Sequence, residues 1–430
     1  MTYETRTYNQ IVKENNLISY PEPFGIPEKY AEWVRGRGAH MAPALRARLG
    51  DLIRKGEDSV LQNSIWTAMD FHDVLDIEYK IIDLDNIDLL ESRYGIDSPS
   101  IFLYRNSNEI EREIEQVGGA KIIGNPSSLN IGKEVLHRSS KNINNPIELE
   151  NTGSVEGIPV APGALCKTKE EAQRIILLFK KLGKDCIFKD PGGTDGNGIT
   201  TNFEEVESFP VVVEERLDID HTMSVQYMNG VLGVMKERDK PEDDNRWRGN
   251  TLPYRNGNPE NTDKFTREAL IYADKFAGIL EERFGSKPVI FGLDFAIYKN
   301  ESDEEEMALL DPNIRMPGNM YLYYQMEVLR EAGLEPKFAE TALLYENEVP
   351  NYNGKELQQH LDELGLGLIS YDTSTGQPKG FRLNQNGNPE GIIVVVQDPG
   401  TDGGDNLSMI SVFGEDEYIT KSLIERFKAV

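Results

Sequence analysis

Apolar and polar residues alternate along Val289–Tyr298. Leu293, Phe295 and Ile297 fall on one face and Asp294 on the other, because successive side chains of a strand point to opposite sides. An acidic stretch follows, and a second strand begins near Met307. The pattern predicts a hairpin in which Asp311, Asn313 and Arg315 point the same way if the chain stays extended. Helical spacing predicts Thr168–Gly183, with Ala172, Ile175, Ile176 and Phe179 as its stripe, a Thr168/Glu171 capping box and Gly183 at its end. It also predicts Thr266–Gly285, Met320–Ala332, Lys355–Leu364 and Glu417–Phe427. Asp185–Asp190 and Pro210–Leu217 read as strands, and His221–Val234 as a continuing one. Lys133 opens a helix carrying Val135 and Leu136, and Asn144–Gly157 is a polar linker.

The first 125 residues alternate strand and helix signals. Ser100–Tyr104 and Ala120–Ile123 read as strands around a charged helix at Asn108–Val117, which suggests a small parallel sheet. From about 355, strand-like pieces (LGLISY, GFRL, GIIVVV) are separated by Gly- and Asn-rich turns. The expected fold class is α+β with an α/β N-terminal domain. The expected divisions are 1–125, a core at 126–345 with a lid lobe near 155–215, and a small α+β domain at 346–430.

The chain has 430 residues and a formal charge of −27, which argues against non-specific nucleic-acid binding, since that needs Lys and Arg to neutralise phosphates. No apolar run is long enough to span a bilayer and no leader-like segment opens the sequence, so a soluble cytoplasmic protein is expected. Cys166 and Cys186 are the only cysteines. Without a CxxC they read as packed thiols. Neither GxGxxG after a strand nor GxxxxGK[ST] occurs, so a dinucleotide fingerprint and a P-loop are both unsupported.

Candidate chemistry concentrates in three places. Asp294, Asp311 and Asn313 on adjoining strands offer oxygen ligands to a hard cation such as Mg²⁺, with Arg315 beside them for an anion; the plain alternative is a solvated hairpin face. The turn after Lys189, PGGTDGNG, brings glycine N–H groups that can approach a phosphate, although Asp-Gly and Asn-Gly also mark ordinary hairpins. Its near-copy at Asp398–Asp405 follows a strand without a terminal Lys and reads as structural. The V-V-E-E-x-L segment at 212–217 can present backbone groups to an adenine edge.

Taken in order, these parts resemble the ATP-grasp superfamily: a Lys before a linker, a strand Lys with a glycine turn, the hinge, the G-L-D-F strand and D-P-N-I-R. The resemblance covers about residues 120–345. The region before it resembles a pre-ATP-grasp domain, and the C-terminal extension is similar to peptide ligases of the pheganomycin type. The resemblance implies two α+β lobes clasping ATP and a carboxylate–amine ligase working through an acyl phosphate, as a homodimer acting on small molecules. It implies ATP with Mg²⁺ or Mn²⁺ as cofactors. Lys133 and Lys189 match the ATP-contacting lysines, and Gly192, Gly193, Thr194, Gly196 and Gly198 the phosphate loop. Glu214, Glu215 and Leu217 match the hinge, and the ribose contact falls at Asp218, Asp220 or His221. Asp294, Asp311 and Asn313 match the metal ligands, and Arg315 the Arg facing the reacting phosphate, so Arg315 and Lys189 would be catalytic. Two departures stand out. Asp311 stands where Glu is usual, and Asp195 should point away from phosphate. The alternatives are a non-amine nucleophile, or a nucleotide-binding regulator without catalysis.

Overall fold

A computed structural model describes residues 121–129, 131–191, 198–206, 208–238, 248–253, 263–317, 320–345, 348, 350, 352, 354–398 and 407–430. Of the first 120 residues it describes 2–3, 17–20, 48–50, 74, 81–82, 100–103 and 108–115. The chain divides into two compact units: one of 128–247 and 259–315, the other of 1–127, 248–258 and 316–430.

In the second of these, strands β1 (Thr2–Tyr3), β2 (Leu17–Tyr20), β3 (Arg48–Gly50), β4 (Ile81–Ile82), β5 (Ser100–Leu103) and β6 (Lys121–Ile123) form a sheet in the order β1-β6-β5-β2-β3-β4. Its pairings are parallel. Helix Asn108–Glu115 joins β5 to β6, the strand–helix–strand unit the sequence suggests. The 316–430 part carries helices Met320–Glu331, Gly354–Glu363 and Glu417–Lys428. Between them lie strands β19 (Phe338–Tyr345), β20 (Ile369–Tyr371), β21 (Pro378–Phe381), β22 (Gly391–Asp398) and β23 (Leu407–Gly414), whose apolar positions Ala342, Leu344, Ile392, Val394, Ile410 and Val412 pack with Leu357, Leu361, Ile424 and Phe427.

Residues 128–247 and 259–315 build two sheets. In one, β7 (Arg138–Ser139), β10 (Gly163–Cys166), β11 (Cys186–Lys189), β12 (Ile199–Thr200) and β13 (Val211–Glu215) run in the order β12-β11-β13-β10-β7. Helix Lys169–Leu182 covers one face, burying Ala172, Ile175, Leu178 and Phe179 against Ala164, Phe188, Val211 and Val213. Thr168 Oγ1 accepts from the Glu171 N–H, and Gly183 closes the helix at φ 71°. The box is not reciprocal: the Glu171 carboxylate takes the Lys167 N–H and the Ser140 hydroxyl instead. Cys166 is buried and Cys186 partly so; both are free thiols, and burial pushes Cys166 up to about 12.

In the other sheet, β14 (Ile219–Met228), β15 (Val231–Glu237), β17 (Ile290–Lys299) and β18 (Glu305–Asn313) are ordered β18-β17-β14-β15. Helix Lys264–Phe284, capped by Asp263, packs Ala269, Ala273, Phe276 and Leu280 on Val225, Tyr227, Phe291, Leu293, Phe295, Ile297, Met307 and Leu309. Burying that face removes apolar area from water at ~25 cal/mol per Å². It also dictates which residues are left on the opposite face: Ser224, Gln226 and Asp294.

Three expectations are corrected. Lys133–Leu136 is a single 3₁₀ turn, because Gly132 offers no side-chain cap and His137 at once turns extended into β7. The 144–157 stretch contains helix Pro146–Glu150 and β8 (Ser154–Val155), which pairs in a hairpin with β9 (Ile158–Pro159) just beyond it. Asn145 caps that helix by accepting from the Glu148 N–H, with Pro146 pre-set at its first turn. The expected strand 221–234 is a hairpin, folded at Asn229–Gly230 where φ is positive.

Candidate nucleotide and metal site

Asp294, Ser224 and Asp311 lie abreast on three strands: Ser224 opposes Asp294 across β14–β17, and Asp311 opposes it across β17–β18. A bulge produces this. Met307 and Leu309 pack in the core opposite Ile297 and Phe295. Strict alternation from there would carry Asp311 inward as well. The register shifts after Phe295–Leu309, Leu310 becomes the extra residue, and the parity of the strand reverses. Pro312 and Ile314 then face inward, and Asp311, Asn313 and Arg315 are left half-buried on the other side. A bulge costs one ladder position and re-aims every side chain after it.

The result is two carboxylates face to face. Burial, then the Asp311 charge, push the Asp294 carboxyl up to about 7. The Ser224 hydroxyl, which donates to it, works against this; the Glu237 charge adds to it and Arg315 opposes it. Asn313 Nδ2 donates to Asp294 Oδ2 at 2.8 Å, and Gln226 Nε2 donates to Ser224 Oγ at 2.8 Å. Such a pair fits a hard divalent cation. One or two carboxylates are what Mg²⁺ takes when phosphates complete its shell, and Asn313 has an amide oxygen to add. Among the described residues no group of three or more His, Cys, Asp or Glu is placed to hold a metal, so this site has two carboxylates and no third.

Two buried lysines meet the same place. Lys133 Nζ lies 3.4 Å from Asp311 Oδ2. Lys189 Nζ donates to the carbonyl of the bulged Leu310 at 3.4 Å and pairs with Glu214. Lys189 and Glu214 share the face of their sheet opposite the covering helix, since Ile187 is paired with Glu214 and Lys189 with Val212. Gly163 faces Glu214 from β10, and a Cβ there would meet the Glu214 Cβ at 2.7 Å. Glu214 is also held by His137, whose Nε2 is 3.1 Å from its Oε2. Burial alone would raise Glu214; the Lys189 charge and the His137 contact outweigh it and hold the carboxyl below its ordinary range. The 3₁₀ turn packs directly against Pro191, just past the end of β11: a Cβ on Gly132 would lie 2.3 Å from the Pro191 carbonyl oxygen.

Asp190 N–H donates to Gly198 O at 2.8 Å and closes the β11–β12 hairpin, with Gly198 at φ 78°. Gly192, Gly193, Thr194 and Gly196, with Asp195, lie outside the described residues, as does all of the Asp398–Asp405 copy after Asp398. Glu215 takes the opposite face of β13 from Glu214 and pairs with Lys184 at 3.0 Å. Leu217 is half-buried and Asp218 exposed. Asp220 and His221 pair with each other at 2.7 Å on the exposed start of β14, a hydrogen bond that keeps Asp220 low. His137 and the Leu310 bulge were not read from the sequence. Pro312 gives no signal for the bulge, because β18 ends the strand order and an edge strand tolerates proline.

No protein-family model matches the chain, and no curated protein does. Among solved structures, N5-carboxyaminoimidazole synthetase from Staphylococcus aureus is 12% identical, with 100% of both chains covered and a TM-score of 0.50. The fold is ATP-grasp. N5-carboxyaminoimidazole ribonucleotide synthetase from Thermotoga maritima is 14% identical over 96% of this chain and 97% of that one, with a TM-score of 0.46. D-alanine–D-alanine ligase from Bacillus anthracis is 17% identical over 65% and 89%, with a TM-score of 0.37. No helix among the described residues is long and apolar enough to cross a membrane.

Proposed function

We propose that this chain is an ATP- and Mg²⁺-dependent ligase that activates a small-molecule carboxylate as an acyl phosphate and joins it to an amine, an amino acid or peptide, releasing ADP and phosphate. One observation carries the reading. At the Leu310 bulge, two buried lysines converge on a pair of opposed, half-buried carboxylates. That set can hold both a polyphosphate and its cation, and a plain surface hairpin has no use for it. Mg²⁺, with Asp294, Asp311 and Asn313 as its ligands, would supply charge neutralisation to the phosphate oxygens.

The chain's own residues supply position and charge. Lys133 and Lys189 would turn from Asp311 and Glu214 to phosphate oxygens. Arg315, already felt electrostatically by Asp294, would face the transferring phosphoryl group and stabilise the negative charge there. The glycine turn after Pro191 would cover the phosphates and keep water from the acyl phosphate. In balance, a carboxylate oxygen attacks the γ-phosphorus and ADP leaves; the amine then attacks the acyl carbon, phosphate leaves, and the amine loses a proton.

Calorimetric titration of Mg·ATP into the wild type and Asp311→Asn, followed by ADP release over a panel of carboxylates and amines, tests this. Wild-type binding, weakened in the variant, with amine-dependent ADP release is the expected result. ADP release without amine dependence would transfer the reading to another nucleophile. Tight binding without turnover would make the chain a nucleotide-binding regulator, and absence of binding would return Asp294 and Asp311 to hairpin acids.

A further inference from the structure

His137 enters through a structural accident of the 3₁₀ turn: the chain leaves Leu136, turns extended, and buries the imidazole beneath β13. Its side chain is 2% exposed, and Nε2 lies 3.1 Å from Glu214 Oε2. Nδ1 is buried with no hydrogen-bond partner among the described residues. Buried polar atoms are nearly always satisfied, and an imidazole packed only for structure would use both nitrogens. Here one is left unpartnered while the other serves Glu214.

Glu214 is a two-handed carboxylate. Oε1 takes Lys189 and Oε2 takes His137. The groups facing it are Lys189 from β11, His137 from the turn, and Gly163 from β10, which has no side chain. Asp311, the next carboxylate, is occupied with Lys133. If Lys189 is to reach a phosphate, it must loosen its hold on Glu214. A buried carboxylate that loses its cation and keeps no other donor is strongly unfavourable, and that penalty would count against nucleotide binding.

Resting on the nucleotide reading above, we propose that His137 is a positioning residue that keeps Glu214 hydrogen-bonded when Lys189 turns to the nucleotide phosphates, so that the lysine can be transferred without stranding a buried carboxylate. His137 never touches the nucleotide in this scheme. It sets the ease with which Lys189 changes partner.

The test is calorimetric titration of Mg·ATP into wild type, His137→Leu and His137→Gln, each also in a Glu214→Gln background, with thermal melts of all six proteins. Loss of the donor in His137→Leu should weaken binding by about 10-fold or more, the equivalent of ~1.4 kcal/mol. His137→Gln, which retains an N–H donor, should stay within about 3-fold of wild type. In the Glu214→Gln background no charge is left to strand, so the His137→Leu loss should fall below about 3-fold, the signature of coupled residues. Wild-type affinity in His137→Leu overturns the proposal. So does an equal loss in both backgrounds, which would mark His137 as structural. If wild type itself does not bind Mg·ATP, the nucleotide reading falls and this inference with it; binding by wild type separates the two failures.

Discussion

Near the tip of the β17–β18 hairpin, Glu306 accepts from Asn300 Nδ2 at 2.7 Å and from the Tyr298 hydroxyl at 2.9 Å, and these hydrogen bonds hold it below its ordinary range. Asp303 has Lys299 at 2.8 Å, and Asn300 Oδ1 ties down the N–H groups of Ser302 and Glu304. At the base of the same hairpin, Asp294 faces Asp311 and is pushed up to about 7. The two ends share strands and both carry acids but differ in their neighbours. The tip acids are served by neutral donors or a lysine in open solvent. The base acids are half-buried and opposed, and the cations near them, Lys133 and Lys189, are also paired elsewhere or held at 3.4 Å. A solvated face carries charge at little cost; a like-charge pair in a buried setting is maintained only where something else neutralises it. That is why the base, and not the more acidic tip, is the candidate site.

The sharpest way to break the contrast is to remove the cation that ties the base to the neighbouring sheet. Lys189→Met leaves Glu214 buried with His137 alone, and at the low end of the range for a broken buried pair it costs about 3 kcal/mol of stability. Chemical denaturation measures that loss, and Mg·ATP binding should disappear with it. An unchanged midpoint would mean that the Lys189–Glu214 pair contributes nothing to the fold.

Asp311→Asn comes next. Losing one of two carboxylates should weaken Mg·ATP binding by about 100-fold, or ~2.7 kcal/mol, while the fold is retained because Asn fits the same bulged position. Titration with and without Mg²⁺ checks it; equal weakening in both would deny Asp311 a role toward the cation.

How far the sequence reaches is visible in these same residues. Period-2 alternation placed Leu293, Phe295 and Ile297 in the core and Asp294 opposite, and helical spacing with a Thr168 cap and Gly183 stop gave the helix Lys169–Leu182. Those signals are local. The pairing of Asp311 with Asp294 is not: it depends on the Leu310 bulge, which arises from registering one strand on another. The expectation that Asp311, Asn313 and Arg315 share a side was correct, but alternation continued from the buried Met307 and Leu309 would have put that side in the core. No residue marked the break, since proline on the edge strand β18 needs no bulge. His137 was invisible for a related reason, since a turn misread as a helix gives no account of a buried imidazole. Asn145-Pro146 and Asn229-Gly230 were legible and passed over.

The pH dependence distinguishes the two ends more gently. Asp294 titrates near 7 in the folded protein against about 3.9 when unfolded, so the native state binds this proton more tightly. Ionising it therefore costs stability. The cost sets in as pH rises past about 4 and is complete above about 7. Asp294→Asn should accordingly stabilise the metal-free protein above pH 7, by ~1–2 kcal/mol once partial exposure is discounted, and leave it unchanged near pH 3. Excess Mg²⁺ should erase the difference by stabilising wild type alone. A constant difference across the pH range would deny the carboxylate pair its charge coupling.

Glu306→Gln is the smallest change and fixes the other pole of the comparison. Its carboxyl is depressed chiefly by the Asn300 and Tyr298 hydrogen bonds; in Gln the amide oxygen can still accept from Asn300 Nδ2, and the Tyr298 hydroxyl can turn to accept from the amide nitrogen. The sign is opposite to that of Asp294: a depressed acid contributes stability above its unfolded pKa and loses it as pH falls, so the substitution should cost something at pH 7 and nothing in acid. Because the site is on the surface, the cost should stay within about 0.5 kcal/mol, with Mg·ATP binding untouched. Equal effects of Glu306→Gln and Asp311→Asn on Mg·ATP binding would mean that the cation is drawn by the acidity of the hairpin as a whole. Only a silent tip beside a sensitive base leaves the cation to the opposed pair that the Leu310 bulge creates.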